Sequence, residues 1–161
     1  MTGKERLEAY LRWNEVPYLL KHHPKAYTAK EVAASENISG WIMAKVVMVV
    51  ADGKMVMTVL TANHLIDLNK LAHVLGSRVV RLAEEVEFQE NFADCEPDAM
   101  PPFGNLYDLP VYVERSLAEE EYFVFQAGTH KDTMRMTFTS CVRPVKPVVA
   151  DFRSSEHGCL L

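Results

Sequence analysis

At 161 residues, with 48% hydrophobic and 24% charged side chains and a formal net charge of −5, the chain has the composition of one soluble globular domain. The negative balance argues against a general nucleic-acid coat, and the longest apolar runs, broken by Lys45, Asp52 and Lys54, are too short to span a bilayer. Three widely spaced cysteines (Cys95, Cys141, Cys159) without a Cys-x-x-Cys pair speak against a disulfide framework and a thiolate zinc site, and the charged N-terminus does not read as a signal peptide, so a cytoplasmic location is expected.

Leu7, Tyr10, Leu11 and Asn14 fall at helical spacing and predict a first amphipathic helix over 4–14. Val16-Pro17 ends it, because the residue before proline resists the helical region. Tyr18–Leu20 reads as a short strand and Lys21–Lys25 as a basic loop. His22 and His23 are adjacent, so an extended chain turns them to opposite faces, and no carboxylate partner stands nearby; no metal is expected there. Thr28-Ala29-Lys30-Glu31 is a capping box opening a short helix with Val32, Ala33 and Ala34, ending near Asn37.

Trp41–Ala51 is the most strand-like run in the chain, and Asp52-Gly53 turns it back into Met55–Thr61 as a hairpin. Alternation puts Lys45 on the face of Met43, Val47 and Val49. An ammonium group there reaches water at a strand end, finds an anion in a cleft, or titrates to neutral, because burying the bare charge is costly.

Asn63 is expected to cap a third helix, with Leu65, Leu68, Leu71, Ala72 and Leu75 on one face and Gly76 as its stop. Arg78–Leu82 reads as a strand and 83–92 as a short acidic helix. Glu96–Gly104 holds three prolines and a glycine in nine residues, a stiff loop suited to a plain turn or to the wall of a small pocket. Val111–Val113 is a strand, Ser116–Glu121 a helical or turn segment, and Tyr122–Ala127 a second strongly β run. Gly128–Thr133 then forms a turn and Met134–Phe138 a closing strand. Thr139 is expected to cap a last helix cut up by Pro144 and Pro147, with about 154–161 a frayed tail. Helices mixed with mostly hairpin-joined strands in one unit give an α+β class.

Residues 1–81 carry 11 Lys/Arg against 7 Asp/Glu, and residues 82–161 carry 6 against 15, which allows a basic surface on an acidic protein. No nucleophile elbow, phosphate loop, dinucleotide fingerprint or His-Glu-x-x-His occurs. Three features near strand ends remain: Lys45, the Met100–Gly104 loop, and Gly128-Thr129-His130.

Four landmarks in order carry a resemblance: His-Pro-x-Ala-Tyr-Thr-Ala at 23–29, Ala44-Lys45 inside the apolar strand, Pro101-Pro102-Phe103-Gly104, and Ala127-Gly128-Thr129-His130. In these the chain resembles the YbaK / prolyl-tRNA synthetase-associated (editing) domain family, whose members hydrolyse wrongly charged aminoacyl-tRNA. The resemblance runs from about Tyr18 to Pro147. It implies one compact α/β domain over 1–161, a mixed, curved sheet surrounded by helices, and no cofactor or metal. The implied substrate is a small amino acid esterified to the 3′-terminal ribose of a tRNA.

By the same resemblance, Lys45 and His130 are the catalytic residues, with Lys45 holding the phosphate near the terminal adenosine. Tyr27, Thr28, Asp98, Met100, Pro101, Pro102, Phe103, Gly104, Gly128 and Thr129 are implied to bind substrate. Asp98 is a departure, since many members have glycine a few residues before Pro-Pro; its carboxylate would alter pocket size or charge. Chemically, an ester needs no strong nucleophile when water or the neighbouring ribose hydroxyl is held close and the carbonyl oxygen meets aimed donors. Exposed amides around Gly128 are candidates for such donors, and His130 is either a general base or purely positional. The expected function is a free-standing trans-editing deacylase, with the tRNA 3′ end as partner, a synthetase as a further candidate partner, and no membrane. The alternatives are a tRNA- or nucleotide-binding module without hydrolysis and, last, a protein-interaction domain.

Overall fold

A computed structural model describes residues 1–154, so Cys159 and the expected tail beyond Ser154 lie outside the described residues. Helix α1 (Gly3–Trp13) opens with a capping box between Thr2 and Glu5 and buries Leu7 and Leu11. Strand β1 (Leu19–His22) leads to α2 (Ala29–Ser35), whose expected capping box is present. The Thr28 hydroxyl oxygen accepts from the Glu31 amide at 3.1 Å, and the Glu31 carboxylate accepts from the Thr28 amide at 3.1 Å. Strands β2 (Ala44–Ala51) and β3 (Lys54–Thr61) form the hairpin, with Asp52 and Gly53 at φ +48° and +82° in its two-residue turn. There follow α3 (Leu68–Leu75), β4 (Val80–Leu82), α4 (Glu85–Phe88), a single 3₁₀ turn (Gly104–Tyr107), β5 (Val111–Glu114) and α5 (Arg115–Ala118). The chain closes with β6 (Tyr122–Gln126), β7 (Asp132–Thr137), α6 (Phe138–Val145) and β8 (Val148–Ala150). Among the described residues, no helix is long and apolar enough to cross a membrane.

The strands mix directions, as expected, but divide into two sheets. Five run in the order β4-β2-β3-β5-β8, antiparallel from β4 to β3 and parallel from β3 to β8. Three antiparallel strands, β1-β7-β6, form the other sheet. The two meet at a bridge between Met43 and Val124, where the Val124 amide donates to the Ile42 carbonyl at 2.9 Å. This division creates the site. Strand β4 lies beside β2 only along Val49–Ala51, and β6 touches it at Met43. Residues 44–48 therefore have an edge with no strand paired to it among the described residues.

The main core is shared by both sheets and α1, with Leu7, Leu11, Phe103, Phe123, Phe125 and Met134 removed from water. Each such side chain contributes about 1.5–3 kcal/mol. Smaller cores lie around Leu71 and Phe152 and around Val32 and Met43.

Several boundaries differ from the local expectation. Helix α3 starts at Leu68, capped by Asp67 rather than Asn63; the Asp67 carboxylate accepts from the Asn69 and Lys70 amides at 2.9 and 3.1 Å. The C-terminal segment holds the preceding residues out of helix. Ile66 bridges Arg153, the Asp67 amide donates to the Phe152 carbonyl at 2.7 Å, and the Ser154 amide donates to the Leu65 carbonyl at 2.8 Å. Trp41–Met43 precede β2, and the acidic helix is confined to Glu85–Phe88. Thr137, not Thr139, caps α6, and Pro144 sits one residue before its end, so the interruption its missing N–H brings falls where the helix stops. Val148–Ala150 pairs in parallel with β5, a tertiary contact without a local signature.

Candidate functional site

The open edge of β2 borders a cleft of about 420 Å³. Because no strand covers that edge, side chains from both faces of β2 reach the cleft: Lys45 and Val47 from one, Val46 and Met48 from the other. Lys45 is half-buried there, one residue from the start of β2 and on its open edge, with the cleft in front of it. Tyr27, Thr28, Ala29 and Lys30, at the start of α2, form a second wall, and Leu82, Ala83 and Phe88 a third. Asp98 and Met100 come from the proline-rich loop, and Ala62 and Gln126 complete the lining. The half-exposed Tyr27 ring has Lys25 Nζ 5.4 Å from its centroid and lies 4.7 Å from the ring of His130. The Thr28 hydroxyl accepts the helix-capping bond and keeps its own proton to donate.

Asp98 enters the cleft from a left-handed backbone, φ +62°. Glycine occupies that region freely, and aspartate is among the few side chains that tolerate it. Pro101, Pro102, Phe103 and Gly104 do not line the cleft. Both prolines are buried, and Phe103 is fully buried, its ring 6.1 Å from Tyr10 and 5.5 Å from Phe125. Gly104 packs so tightly that a Cβ would stand 2.9 Å from Val111 Cγ2. The loop thus presents Asp98 and Met100, while Pro101–Gly104 anchor it in the core.

Gly128, Thr129 and His130 stand behind the loop and clamp it. The Gly128 amide donates to the Ala99 carbonyl and the Glu96 amide to the Gly128 carbonyl, both at 2.8 Å. The His130 amide donates to Glu96 Oε1 at 2.7 Å, and the ring Nε2 donates to the Pro97 carbonyl. Nδ1 lies 3.5 Å from Glu96 Oε1, so both ring nitrogens are turned to the loop. The Thr129 hydroxyl donates to Asp132 at 2.6 Å. The Gly128 and His130 amides, two of those expected to face an ester carbonyl, are therefore engaged within the protein, which removes them as donors to it. A second correction concerns the histidine pair. His22 Nδ1 contacts Asp132 and His23 Nε2 lies 3.6 Å from Glu36, two carboxylates distant in sequence that the fold brings alongside.

The sequence profile of the aminoacyl-tRNA editing domain matches residues 23–143, a stretch that contains every residue of the cleft lining. The chain belongs to the aminoacyl-tRNA editing domain family. This editing domain is 31% identical over 138 residues to a proline–tRNA ligase of Thiobacillus denitrificans, a match covering 84% of the chain but 23% of the ligase. Its fold is also that of the solved structure of hypothetical protein APE2540, with a TM-score of 0.83 and 20% identity over 92% of this chain and 99% of that one. A proposed trans-editing enzyme for prolyl tRNA synthetase superposes with a TM-score of 0.81 and 20% identity, over 96% and 99% of the two chains.

The editing domain's cleft also holds residues that pattern reading passed over. Gln126 is 7% exposed, and its Nε2 is buried without a hydrogen-bond partner. The signal was present: like Lys45, Gln126 is a polar side chain in the alternation of an apolar strand. The Met43–Val124 bridge is parallel, so two residues further along each chain Lys45 and Gln126 both enter the cleft. Cys95 lines an adjoining hollow with Phe88, Asp98 and Met100; burial pushes its thiol up to about 11, which leaves it protonated at neutral pH and a poor nucleophile.

Proposed function

We propose that this editing domain is a free-standing deacylase acting in trans in the cytoplasm, which hydrolyses the ester of a small amino acid wrongly attached to the 3′ end of a tRNA. The observation that carries the reading is Lys45 in a cleft of about 420 Å³ whose other walls include Tyr27, Thr28, Asp98 and Met100, contributed by the segments that hold the family landmarks. The volume suits a small-molecule group such as an aminoacylated nucleoside end. An ammonium on a flexible stem meets a phosphate as a point charge. Tyr27 offers a ring on which a base can stack, and Thr28 a hydroxyl donor. Asp98 and Met100 bound the space left for the amino-acid side chain. Such a wall excludes larger side chains sterically, whereas one methylene of difference is worth only ~1–3 kcal/mol.

In the reaction, a water oxygen adds to the ester carbonyl carbon. The bond to the ribose oxygen then breaks, and that oxygen takes up the proton, leaving free amino acid and uncharged tRNA. His130 serves as a positioning residue: through Pro97 and Glu96 it sets the loop that carries Asp98 and Met100. Gly128 and Thr129 support the same clamp, and Pro101–Gly104 anchor the loop from the core side. The relation to a proline–tRNA ligase makes a synthetase a candidate second partner.

A panel of tRNAs mischarged with small amino acids tests the reading. Purified protein is expected to release amino acid above the spontaneous rate from at least one of them. Lys45→Ala, with unchanged circular dichroism, is expected to be slower by roughly 10- to 100-fold, the loss of a charge-assisted contact of about 1.5–3 kcal/mol. If no charged tRNA is hydrolysed, the reading fails. Binding without turnover would select a binding module of the same fold, a reading favoured by the engagement of the Gly128 and His130 amides inside the protein.

A further inference from the structure

We infer that Gln126 is a catalytic residue of this deacylation, its side-chain amide donating a hydrogen bond to the ester carbonyl oxygen and to the oxyanion formed from it. The inference rests on the deacylase reading of the cleft. Gln126 is 7% exposed, lines the cleft, and carries an Nε2 with no partner. Buried N–H donors without acceptors are uncommon in native proteins because the lost hydration is not replaced. An amide nitrogen only donates, so the missing group is an acceptor.

The aminoacylated 3′ end narrows the choice. Its α-ammonium group is itself a donor, and its phosphate is the group suited to Lys45. The ester carbonyl oxygen is a pure acceptor, and it is the atom that gains negative charge as water adds. Two of the backbone donors expected for it are committed, Gly128 to Ala99 and His130 to Glu96. Gln126 also stands on a paired strand, opposite Thr133 of β7, which fixes the point from which its side chain enters the cleft. As the water oxygen bonds to the carbonyl carbon, the C=O electron pair moves onto oxygen beside the Gln126 amide. When the pair returns, the ester bond to the ribose oxygen breaks and that oxygen takes the water's proton.

The test uses the full chain and a mischarged tRNA that the wild type hydrolyses. Gln126→Met keeps a similar volume and removes the donor. It is expected to lower kcat by about 10²- to 10³-fold with little change in KM. It is also expected to raise the Tm of the ligand-free protein by about 2–4 °C, because one unpaired donor leaves the interior. A second measurement needs no variant. Gln89 and Gln126 are the only glutamines in the chain, so ¹⁵N-glutamine labelling yields two side-chain amide pairs. Adding adenosine bearing an alanyl group through a non-hydrolysable 3′-amide, which keeps the carbonyl, is expected to shift the Gln126 pair and leave the exposed Gln89 pair in place. A Gln126→Met kcat within threefold of wild type, or a Gln126 pair that stays still while other cleft signals move, overturns the assignment and leaves the deacylase reading standing. A wild type inert toward every charged tRNA overturns both.

Discussion

Replacing His130 by alanine removes the hydrogen bond from Nε2 to the Pro97 carbonyl and the ring that lies 4.7 Å from that of Tyr27. The bond contributes about 0.5–1.5 kcal/mol. The ring contact, with Tyr27 half exposed, falls near the lower end of about 0.5–1.5 kcal/mol. With the lost burial of an imidazole, the total is about 2 kcal/mol, which lowers Tm by about 4–8 °C in a chain of this size. The loop is loosened rather than released, because the Gly128–Ala99 and Glu96–Gly128 backbone bonds at 2.8 Å remain. If about 1.4 kcal/mol of the ordering is lost from the reactive complex, deacylation slows about tenfold. The assay is the pH dependence of kcat/KM for wild type and His130→Ala, alongside thermal unfolding. A positioning role predicts two profiles of the same shape, one displaced downward, and partial recovery in His130→Gln, which keeps a donor. An acid limb in the wild-type profile that vanishes in His130→Ala at unchanged Tm would refute this reasoning and make the imidazole a proton acceptor in the reaction.

Other substitutions separate conformation from chemistry. Asp98→Ala places a Cβ-bearing residue without a local hydrogen-bonding side chain at φ +62°, at a cost of about 1 kcal/mol that Asp98→Gly avoids. Thermal melts are expected to rank the glycine variant above the alanine one, while both share any change in amino-acid preference; equal stability would discard the backbone account. Phe103→Ala is expected to cost about 3–5 kcal/mol in denaturant unfolding. A Phe103 variant that changed substrate preference at unaltered stability would return this ring to the cleft wall. Arg81 makes two hydrogen bonds of 2.7 Å to Glu87, and these hold the Glu87 carboxyl down at about 2 from its ordinary 4.5. A depressed folded value means the contribution is present above about 4.5 and lost as pH falls toward about 2. Arg81→Gln is thus expected to weaken the protein above pH 4.5 and to match wild type below pH 2, read from acid unfolding curves; a difference that persists below pH 2 contradicts the assignment.

Much of the frame was legible because the forces behind it act within a few residues. The Asp52-Gly53 turn, the Thr28–Glu31 capping box and the Gly76 stop at φ +66° follow from local sterics and local hydrogen bonds. Asn63 misled for the complementary reason. It is a competent cap, but Ile66 and Asp67 are held extended by Arg153 and Phe152, residues far along the chain. Gln126 went unread although it carried the same mark as Lys45, a polar group on an apolar strand. Phe103, His130 and Gly128 look like pocket residues in the sequence because their landmarks are short and lie next to residues that do line it. Whether such a side chain faces a cavity or braces the loop behind it depends on contacts with α1, β6 and the 96–99 backbone.

By itself, then, the sequence determined the hairpin, the face on which Lys45 lies, the helix stops and the segments that would gather near it. Tertiary structure alone decided that those segments enclose a cleft. The cleft exists because β4 pairs with β2 only along Val49–Ala51 and β6 touches β2 only at Met43, leaving the edge over 44–48 without a partner strand among the described residues. A stretch of missing partner strand is a property of how two sheets part, and no local run of residues encodes it.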